Sequence, residues 1–399
     1  MSRQELRLLV LAAAVSIPVA ILGVAVALAP ETTDFRCFWT GSAFLLTGQD
    51  PYDLEVWTRA TSSLAIDAFG RLNGGNCFGT YPYPLTTAVA MLPFGVLPLG
   101  IAAVIWEILI FAGAVAGVAL LAQAAGLSRR FGLMLVVVVL MSQPFEQNVM
   151  SAQFGGLSLL ALGLLAAPKL GSGRAGVGLV LAAMKPHVIP LVPLVRARGE
   201  RLALIAAALA PLALIALVSL ALRPTWPMGW LAELGGQRRE MLGIEVTVWT
   251  LASVAGIPAL GPALVAAGIA PLAVAARRAR DLHVVELIAV VALAWLIVNP
   301  YGLTASHLAP LAVAWVAIMR RAVTPTTSAP LVVALFAVAS VLPWAMYLVR
   351  FDVLAYGGLE VASALIPPAT AAVLAAALAR STVIATNQER SVNSAATLA

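Results

Sequence analysis

The sequence has few charged residues. Of its 399 residues, 11% are charged and 61% are hydrophobic. A soluble domain is about a quarter charged, so this composition excludes an ordinary soluble protein and predicts a polytopic membrane protein. The formal net charge is +6. The basic residues lie between apolar segments, where they indicate membrane topology, so no nucleic-acid partner is predicted.

The sequence also has few residues that bind metals or cofactors. It contains two cysteines and three histidines, and two cysteines are too few for a thiolate metal site. Walker, dinucleotide-binding, HExxH and serine-triad motifs are absent, so nucleotide chemistry of the kind found in soluble enzymes has no recognisable site. We therefore predict neither a metal nor a bound cofactor.

Long apolar runs predict an all-α fold, a polytopic transmembrane helical bundle of about twelve helices. The bundle forms a single membrane domain over residues 1–380, and residues 381–399 form a polar, disordered tail. The first apolar run, Leu6 to Ala29, is too long for a signal peptide and is interpreted as an uncleaved span. Helices are predicted near 7–29, 99–123, 131–144, 154–167, 174–184, 187–196, 201–222, 257–277, 282–298, 303–319, 329–349 and 358–380.

Four of these segments, those between 131 and 196, are shorter than the roughly 20 residues needed to cross a bilayer. Two interpretations stay open. Either the segments are broken helices around an enclosed cavity, or their boundaries are wrong by several residues.

Basic clusters place the turns at 129–130, 277–280 and 320–321 in the cytoplasm, together with both termini. Residues 30–84 then form a long outer loop. Within it, Asp53 to Phe69 is predicted as an amphipathic helix whose Leu54, Trp57 and Leu64 face lipid. Cys37 and Cys77 share this loop, in a compartment that permits disulfides, so we predict that they pair; two free thiols are the alternative.

Asp34 is the first candidate for chemistry, since it directly follows the first span and precedes Phe35, Phe38 and Trp39. A carboxylate among aromatic rings suits a general base. Alternatively, Asp34 is an ordinary interfacial charge and the aromatic residues form a membrane belt.

Lys185 and His187 lie between two apolar segments. Ionisable groups within a membrane usually have a function or a buried partner, and these two suit a phosphate group. The alternative is a turn in which Lys185 extends towards water. His307 begins a helix from the outer face, where the helix dipole favours anions. Gln153 opens another helix and either binds a sugar hydroxyl or caps that helix.

Several short motifs resemble glycosyltransferase family 87, a family of GT-C-type membrane enzymes that includes mannosyltransferases using polyprenyl-phosphate sugars. The first motif is Asp34-Phe35, followed by Phe38-Trp39. Further motifs along the chain are Gly48-Gln49-Asp50-Pro51-Tyr52, Tyr81-Pro82-Tyr83-Pro84, Gln153, Lys185-Pro186 and Asn299-Pro300-Tyr301.

The resemblance implies a GT-C-like fold and inverting transfer of a hexose, such as mannose, on the outer face of a bacterial inner membrane. The partners would be a polyprenyl-phosphate sugar and a glycolipid or glycan acceptor. Asp34 would be the catalytic base, and Lys185, His187 and His307 would bind the donor phosphate. Contacts to the acceptor or sugar are assigned to Trp39, Tyr52, Tyr81, Gln153 and Tyr301.

Two other classes of protein remain open. Broken helices and buried charges fit a transporter or lipid flippase equally well. A non-catalytic scaffold of the cell envelope is the third class, but a scaffold would not need a carboxylate at position 34. The long outer loop beginning at Asp34 favours the transferase.

Overall fold

The computed structural model describes residues 3–28, 33–61, 65–66, 72–73, 80–166, 173–185, 209–240, 246–279, 282–299, 305–323, 327–353 and 360–380. Within these ranges the chain is almost entirely helical. The other elements are a short antiparallel pair, β1 and β2, 3-10 turns at Ala305–Leu311 and Glu360–Leu365, and a π-helical turn at Ala337–Val341 between α17 and α18. The strands are β1 (Ala65–Ile66) and β2 (Leu72–Asn73), and the helices are α1 (Arg3–Leu28), α2 (Phe35–Leu46), α3 (Leu54–Thr61), α4 (Leu85–Ala90), α5 (Leu92–Gly95), α6 (Leu99–Ala124), α7 (Arg129–Leu140), α8 (Gln143–Met150), α9 (Gly155–Ala166), α10 (Gly173–Met184), α11 (Leu209–Leu222), α12 (Trp226–Glu240), α13 (Val248–Val254), α14 (Leu260–Arg278), α15 (Val284–Val298), α16 (Ala312–Val323), α17 (Ala329–Phe336), α18 (Leu342–Val353) and α19 (366–380).

Four helical segments of the described chain are long and apolar enough to cross a membrane: Leu99–Ala124, Leu260–Arg278, Ala329–Tyr347 and Ser363–Arg380. The number rises to six if two bent pairs are each one span. α7 and α8 meet at 56°, and α11 meets the start of α12 at 95°. The protein is therefore a helical protein with the properties of an integral membrane protein. The predicted total of about twelve helices stays a prediction.

The short helices predicted from the sequence are short in the structure. α9 and α10 have 12 residues each, about 18 Å at 1.5 Å per residue. The predicted helix near 131–144 is the broken pair α7 and α8. A broken helix is therefore the correct interpretation for the segment near 131–144, and α9 and α10 are short helices. That these segments enclose a cavity stays a prediction, and the predicted helix near 187–196 lies outside the described residues.

The predicted outer loop contains a helix that sequence analysis missed. α2 begins directly after Asp34, and nine of its residues are buried, among them Phe35 and Phe38. Both rings are completely inaccessible and belong to the main hydrophobic core. The interpretation of these aromatic residues as a membrane belt is therefore wrong, because they pack against protein.

The predicted amphipathic helix, Asp53 to Phe69, corresponds to α3 only in its first half. Its second half is wrong, because Ala65–Ile66 form the strand β1 and pair with β2. Leu54 is exposed, as expected, but Trp57 is completely buried. Its ring lies 5.7 Å from the ring of Phe44 and 5.6 Å from that of Tyr81, centroid to centroid. Trp57 therefore packs α3 onto α2 and does not face lipid. Leu64 lies outside the described residues.

Cys37 of α2 is fully buried and disulfide-bonded. Cys77 is the only other cysteine of the sequence and lies outside the described residues. The prediction that Cys37 forms a disulfide is confirmed.

α6 and α9 approach each other closely through glycines. A Cβ atom on Gly117 would lie 2.4 Å from the backbone carbonyl of Leu159, and one on Gly156 would lie 1.9 Å from the carbonyl oxygen of Ile110. Gly113 and Gly117 form a GxxxG motif, which allows two membrane helices to pack backbone to backbone. This contact fixes the position of the N-terminus of α9, just after Gln153.

Polar contacts join distant segments of the chain. Gly48 and Thr80 belong to the predicted outer loop: Arg223 donates to the carbonyl of Gly48, and the Glu233 carboxylate accepts from the Thr80 hydroxyl. The predicted cytoplasmic residues Arg320 and Arg321 both bind the fully buried carboxylate of Glu286. The assignment of these segments to two faces of a membrane stays a prediction.

Candidate functional site

Asp34 occupies the N-cap position of α2. Its side chain makes no hydrogen bond that caps this helix within the described structure. Its backbone N–H donates to the carbonyl of Ser151 at 3.2 Å, which joins the start of α2 to the end of α8. An Asp at this position normally accepts from the second or third N–H of its own helix. Here the carboxylate binds elsewhere.

The turn between α8 and α9 presents Gln153. Ala152 has φ +49°, a left-handed conformation that non-glycine residues seldom adopt. Two hydrogen bonds stabilise the turn. The Trp106 indole N–H donates to the Ala152 carbonyl at 2.8 Å, and the Gln153 backbone N–H donates to the Asn148 backbone carbonyl at 2.9 Å. Backbone strain of this kind is often found at functional sites.

Gln153 bridges Asp34 and Lys185. Its amide Nε2 donates to Oδ2 of Asp34, and its Oε1 accepts from Nζ of Lys185. Gln153 and Lys185 are 2% and 3% exposed, while Asp34 is half-buried. We call these three residues the Asp34 relay. It brings together the predicted base, a predicted sugar contact and a predicted phosphate ligand.

Aromatic rings surround the Lys185 ammonium. Nζ lies 5.3 Å from the ring centroid of Tyr83, 5.7 Å from that of Phe154 and 6.0 Å from that of Phe38. The electron-rich faces of such rings attract cations. The alternative that Lys185 extends towards water is therefore wrong, since its charged end is buried in an aromatic box formed by Phe38, Tyr83 and Phe154.

Lys185 follows the last residue of α10 and lies outside the candidate spans. Burial lowers the pKa of its ammonium, because a charged group loses hydration inside the protein, and the Asp34 carboxylate opposes this effect. Burial raises the pKa of the Tyr83 phenol, and the Asp34 charge raises it further. The Asp34 charge therefore acts on both Lys185 and Tyr83.

The other predicted sugar contacts have structural partners. The Trp39 indole N–H donates to the Leu97 carbonyl at 2.9 Å, and the Tyr52 hydroxyl donates to the Tyr83 carbonyl at 2.6 Å. Tyr81 is fully buried beside Gly41, where a Cβ atom would meet its ring at 2.5 Å. Tyr52 therefore contacts Tyr83, whose ring lies beside the Lys185 ammonium, whereas Trp39 is bonded to the backbone at Leu97. Tyr81 packs in the second core cluster with Trp57.

His307 lies in the 3-10 turn Ala305–Leu311 and is 7% exposed. This turn packs against α8, and the Asn148 amide donates to the Ser306 carbonyl at 3.2 Å. The backbone carbonyl of Asn148 also accepts the Gln153 N–H. Asn148 therefore connects the turn that contains His307 to the turn that presents Gln153. His187 and Tyr301 lie outside the described residues.

Three side chains of the site were not predicted as site residues. They are those of the aromatic box. Phe38 and Tyr83 occur in the motifs of the family resemblance, which was the available signal. Phe154 directly follows Gln153 and had no signal of its own.

No group of three or more His, Cys, Asp or Glu side chains within the described ranges could hold a metal ion. The chemistry available at the relay is proton transfer at Asp34 and charge stabilisation by Lys185. No known protein family, curated protein or solved structure matches the chain.

Proposed function

We propose that the protein is a membrane glycosyltransferase that moves a hexose, such as mannose, from a polyprenyl-phosphate carrier to a hydroxyl of a glycolipid or glycan. The observation that carries this proposal is the Asp34 relay, in which a half-buried carboxylate is held next to a buried ammonium. A lipid-linked donor needs no nucleotide-binding domain, which suits a chain that lacks nucleotide-binding motifs.

In the proposed reaction, the acceptor oxygen attacks the anomeric carbon of the donor sugar. The acceptor proton passes to Asp34, and the bond between the anomeric carbon and the phosphate oxygen breaks. The configuration at the anomeric carbon is inverted, and the polyprenyl phosphate leaves with the bonding electron pair. General base catalysis accounts for Asp34, and a cation close to the departing phosphate would stabilise its charge.

Gln153 gives the relay a specific property. It accepts from Lys185 and donates to Asp34 through one rigid amide, so the two charged groups keep a fixed separation. The hydrogen bond from the amide orients the carboxylate, as a base must be oriented. The aromatic box keeps water from the ammonium, which strengthens its interaction with a phosphate.

The test uses purified protein in vesicles, supplied with a panel of labelled polyprenyl-phosphate sugars and with glycolipid acceptors. Asp34→Asn retains shape and hydrogen bonding but cannot take the proton. We expect normal folding and a reduction of transfer by about a hundred- to ten-thousand-fold.

Asp53→Asn is the matched control. Asp53 caps α3 by accepting the Val56 N–H at 3.0 Å, and Asn caps a helix equally well. The control variant should therefore transfer sugar at the wild-type rate. An Asp34→Asn protein with near-normal transfer would overturn the mechanism.

A transporter or lipid flippase is the second candidate, because the pairs α7/α8 and α11/α12 are bent by 56° and 95°, and transporters use broken helices at their binding sites. The same vesicles decide between the two. Movement of labelled carrier lipid between leaflets without any transfer to acceptor would support the transporter and exclude the enzyme.

A further inference from the structure

A long apolar slot lies between α1, α6 and α7. Its volume is about 630 Å³, within the roughly 300–1,000 Å³ typical of small-molecule sites. On α6 its lining runs from Phe111 to Gln123, and on α7 from Arg129 to Leu140. At 1.5 Å per residue, these stretches are about 18 and 17 Å long. The slot is therefore elongated along two helices.

The polar groups of the slot are concentrated at one end. Gln123, Ser128 and Arg129 line that end and are exposed, whereas Phe111 and Leu140 close the other. Apart from Ser16 on α1, the remaining lining residues are apolar. Such a shape fits a molecule with one long apolar chain and one polar, negatively charged end.

This polar end is remote from the Asp34 relay. Trp106 contacts the relay turn through the Ala152 carbonyl, and Gln123 lies about 25 Å further along α6. One leaflet contributes about half of the ~30 Å hydrocarbon core of a bilayer, which is close to the length of the slot. The slot therefore matches an acyl chain of the leaflet opposite the relay.

The charge at the polar end selects an anionic headgroup. Arg129 and Arg130 are the first two residues of α7, a helix of 12 residues, and the Ser128 side chain makes no capping hydrogen bond in the described structure. The helix N-terminus and the arginine charge both attract a phosphate. A zwitterionic lipid would gain less here, and a soluble anion would leave the slot unfilled.

We propose that the slot binds one acyl chain of an anionic phospholipid, with its headgroup phosphate at Arg129 and the N-terminus of α7. This site is separate from the proposed transferase site. An ordered lipid here would fill the space between α1, α6 and α7, and so hold the first helix of the chain against the helix that carries Trp106.

The experiment measures lipid binding to the purified full-length chain by native mass spectrometry and by thermal unfolding in detergent. The probes are phosphatidylglycerol and phosphatidylcholine with identical acyl chains, and inorganic phosphate. Arg129→Gln removes the charge, and Ala119→Phe fills the slot from an exposed position on α6. Arg277→Gln is the control, because Arg277 is an exposed basic residue at the end of α14 that does not line the slot.

We expect phosphatidylglycerol to bind and to raise the unfolding temperature more than phosphatidylcholine does. Arg129→Gln should weaken phosphatidylglycerol binding about fivefold, the equivalent of ~1 kcal/mol for one basic residue near a lipid surface. Ala119→Phe should abolish it, and Arg277→Gln should leave it unchanged.

Equal binding of the two lipids would overturn the proposal, as would unchanged binding in Arg129→Gln. If inorganic phosphate alone reproduced the thermal shift, the site would be an anion site without a lipid chain, and the proposal would also fail. Should Ala119→Phe not fold, the Arg129→Gln comparison still decides the outcome, since that side chain is exposed.

Discussion

At the scale of single residues, Gln153 is the residue on which the relay depends. In Gln153→Leu, the buried Lys185 ammonium loses its amide acceptor and Asp34 loses a donor. Leaving a buried polar group without its partner costs roughly 1–3 kcal/mol, and more for a charged one. We expect the free energy of unfolding to fall by at least that amount, measured by thermal or denaturant unfolding in detergent.

The control is Gln147→Leu on α8. Gln147 is half-buried and binds Glu146, so the same substitution there should cost less than 1 kcal/mol. Equal losses for the two variants would mean that the relay contributes nothing to stability beyond ordinary polar contacts.

The protonation of Lys185 predicts a pH effect on stability. Burial lowers the pKa of this group in the folded protein, whereas in the unfolded chain it is 10.5. Between these two values the unfolded chain binds more protons, so stability rises with pH in this interval. We expect the stability of the wild type relative to Lys185→Met to increase as the pH is raised from neutrality towards about 10.

Lys185→Arg separates titration from charge, because Arg stays protonated over this range. Its stability relative to Lys185→Met should be independent of pH. The tyrosines contribute equally to both proteins and cancel in the difference. A wild-type difference that is flat with pH would show that Lys185 keeps its ordinary pKa.

The members of the relay could be predicted from the sequence, but their contact could not. Asp34 and Lys185 stand out because ionisable groups are rare in this chain, and Gln153 because it opens an apolar helix. Asp34 and Gln153 are 119 residues apart, and Lys185 is 32 residues further on. Only tertiary packing brings these three residues together. Phe154 of the aromatic box could not be predicted, because nothing in the sequence around it distinguishes it from a core residue.

At the scale of helices, the glycine contact between α6 and α9 carries the main prediction. A Cβ atom on Gly117 would lie 2.4 Å from the Leu159 backbone, which cannot move aside as a side chain can. Gly117→Ala must therefore push α9 away from α6, at a cost of about 1–3 kcal/mol. Because Gln153 lies two residues before α9, sugar transfer should fall as well.

Gly100→Ala on the same helix provides the comparison. Nothing lies within 4 Å of a Cβ at that position, and Ala is favoured over Gly within a helix by about 1 kcal/mol. This variant should be as stable as the wild type or more so. If Gly117→Ala behaved in the same way in unfolding experiments, the close approach of the two helices would be refuted.

Helices within uninterrupted apolar runs were predictable, whereas α2 and α13 were not. The predicted 99–123 and 282–298 correspond to α6 and α15 within one or two residues, since uninterrupted apolar runs of that length have few alternatives. α2 was missed because its apolar residues point in several directions and are covered by protein on most sides. α13 was missed because it is only seven residues long.

At the scale of the whole molecule, topology is the property to test. The basic turns place residues 30–84 outside and 277–280 inside. Reporter fusions at Gly75 and Ala279 should therefore give opposite signals, with a periplasmic enzyme active at the first and a cytoplasmic fluorophore active at the second. Matching signals at the two positions would show that the assignment of faces is wrong.

The long sequence separation of the relay has a consequence for biosynthesis. Asp34 leaves the ribosome about 150 residues before Lys185, which at 5–20 residues per second is roughly 8–30 s. During that interval the acid is in place but its cation has not yet been made. A nascent chain that stalls before α10 therefore exposes an uncompensated carboxylate at the membrane, and the proposed activity begins only when translation has passed residue 185.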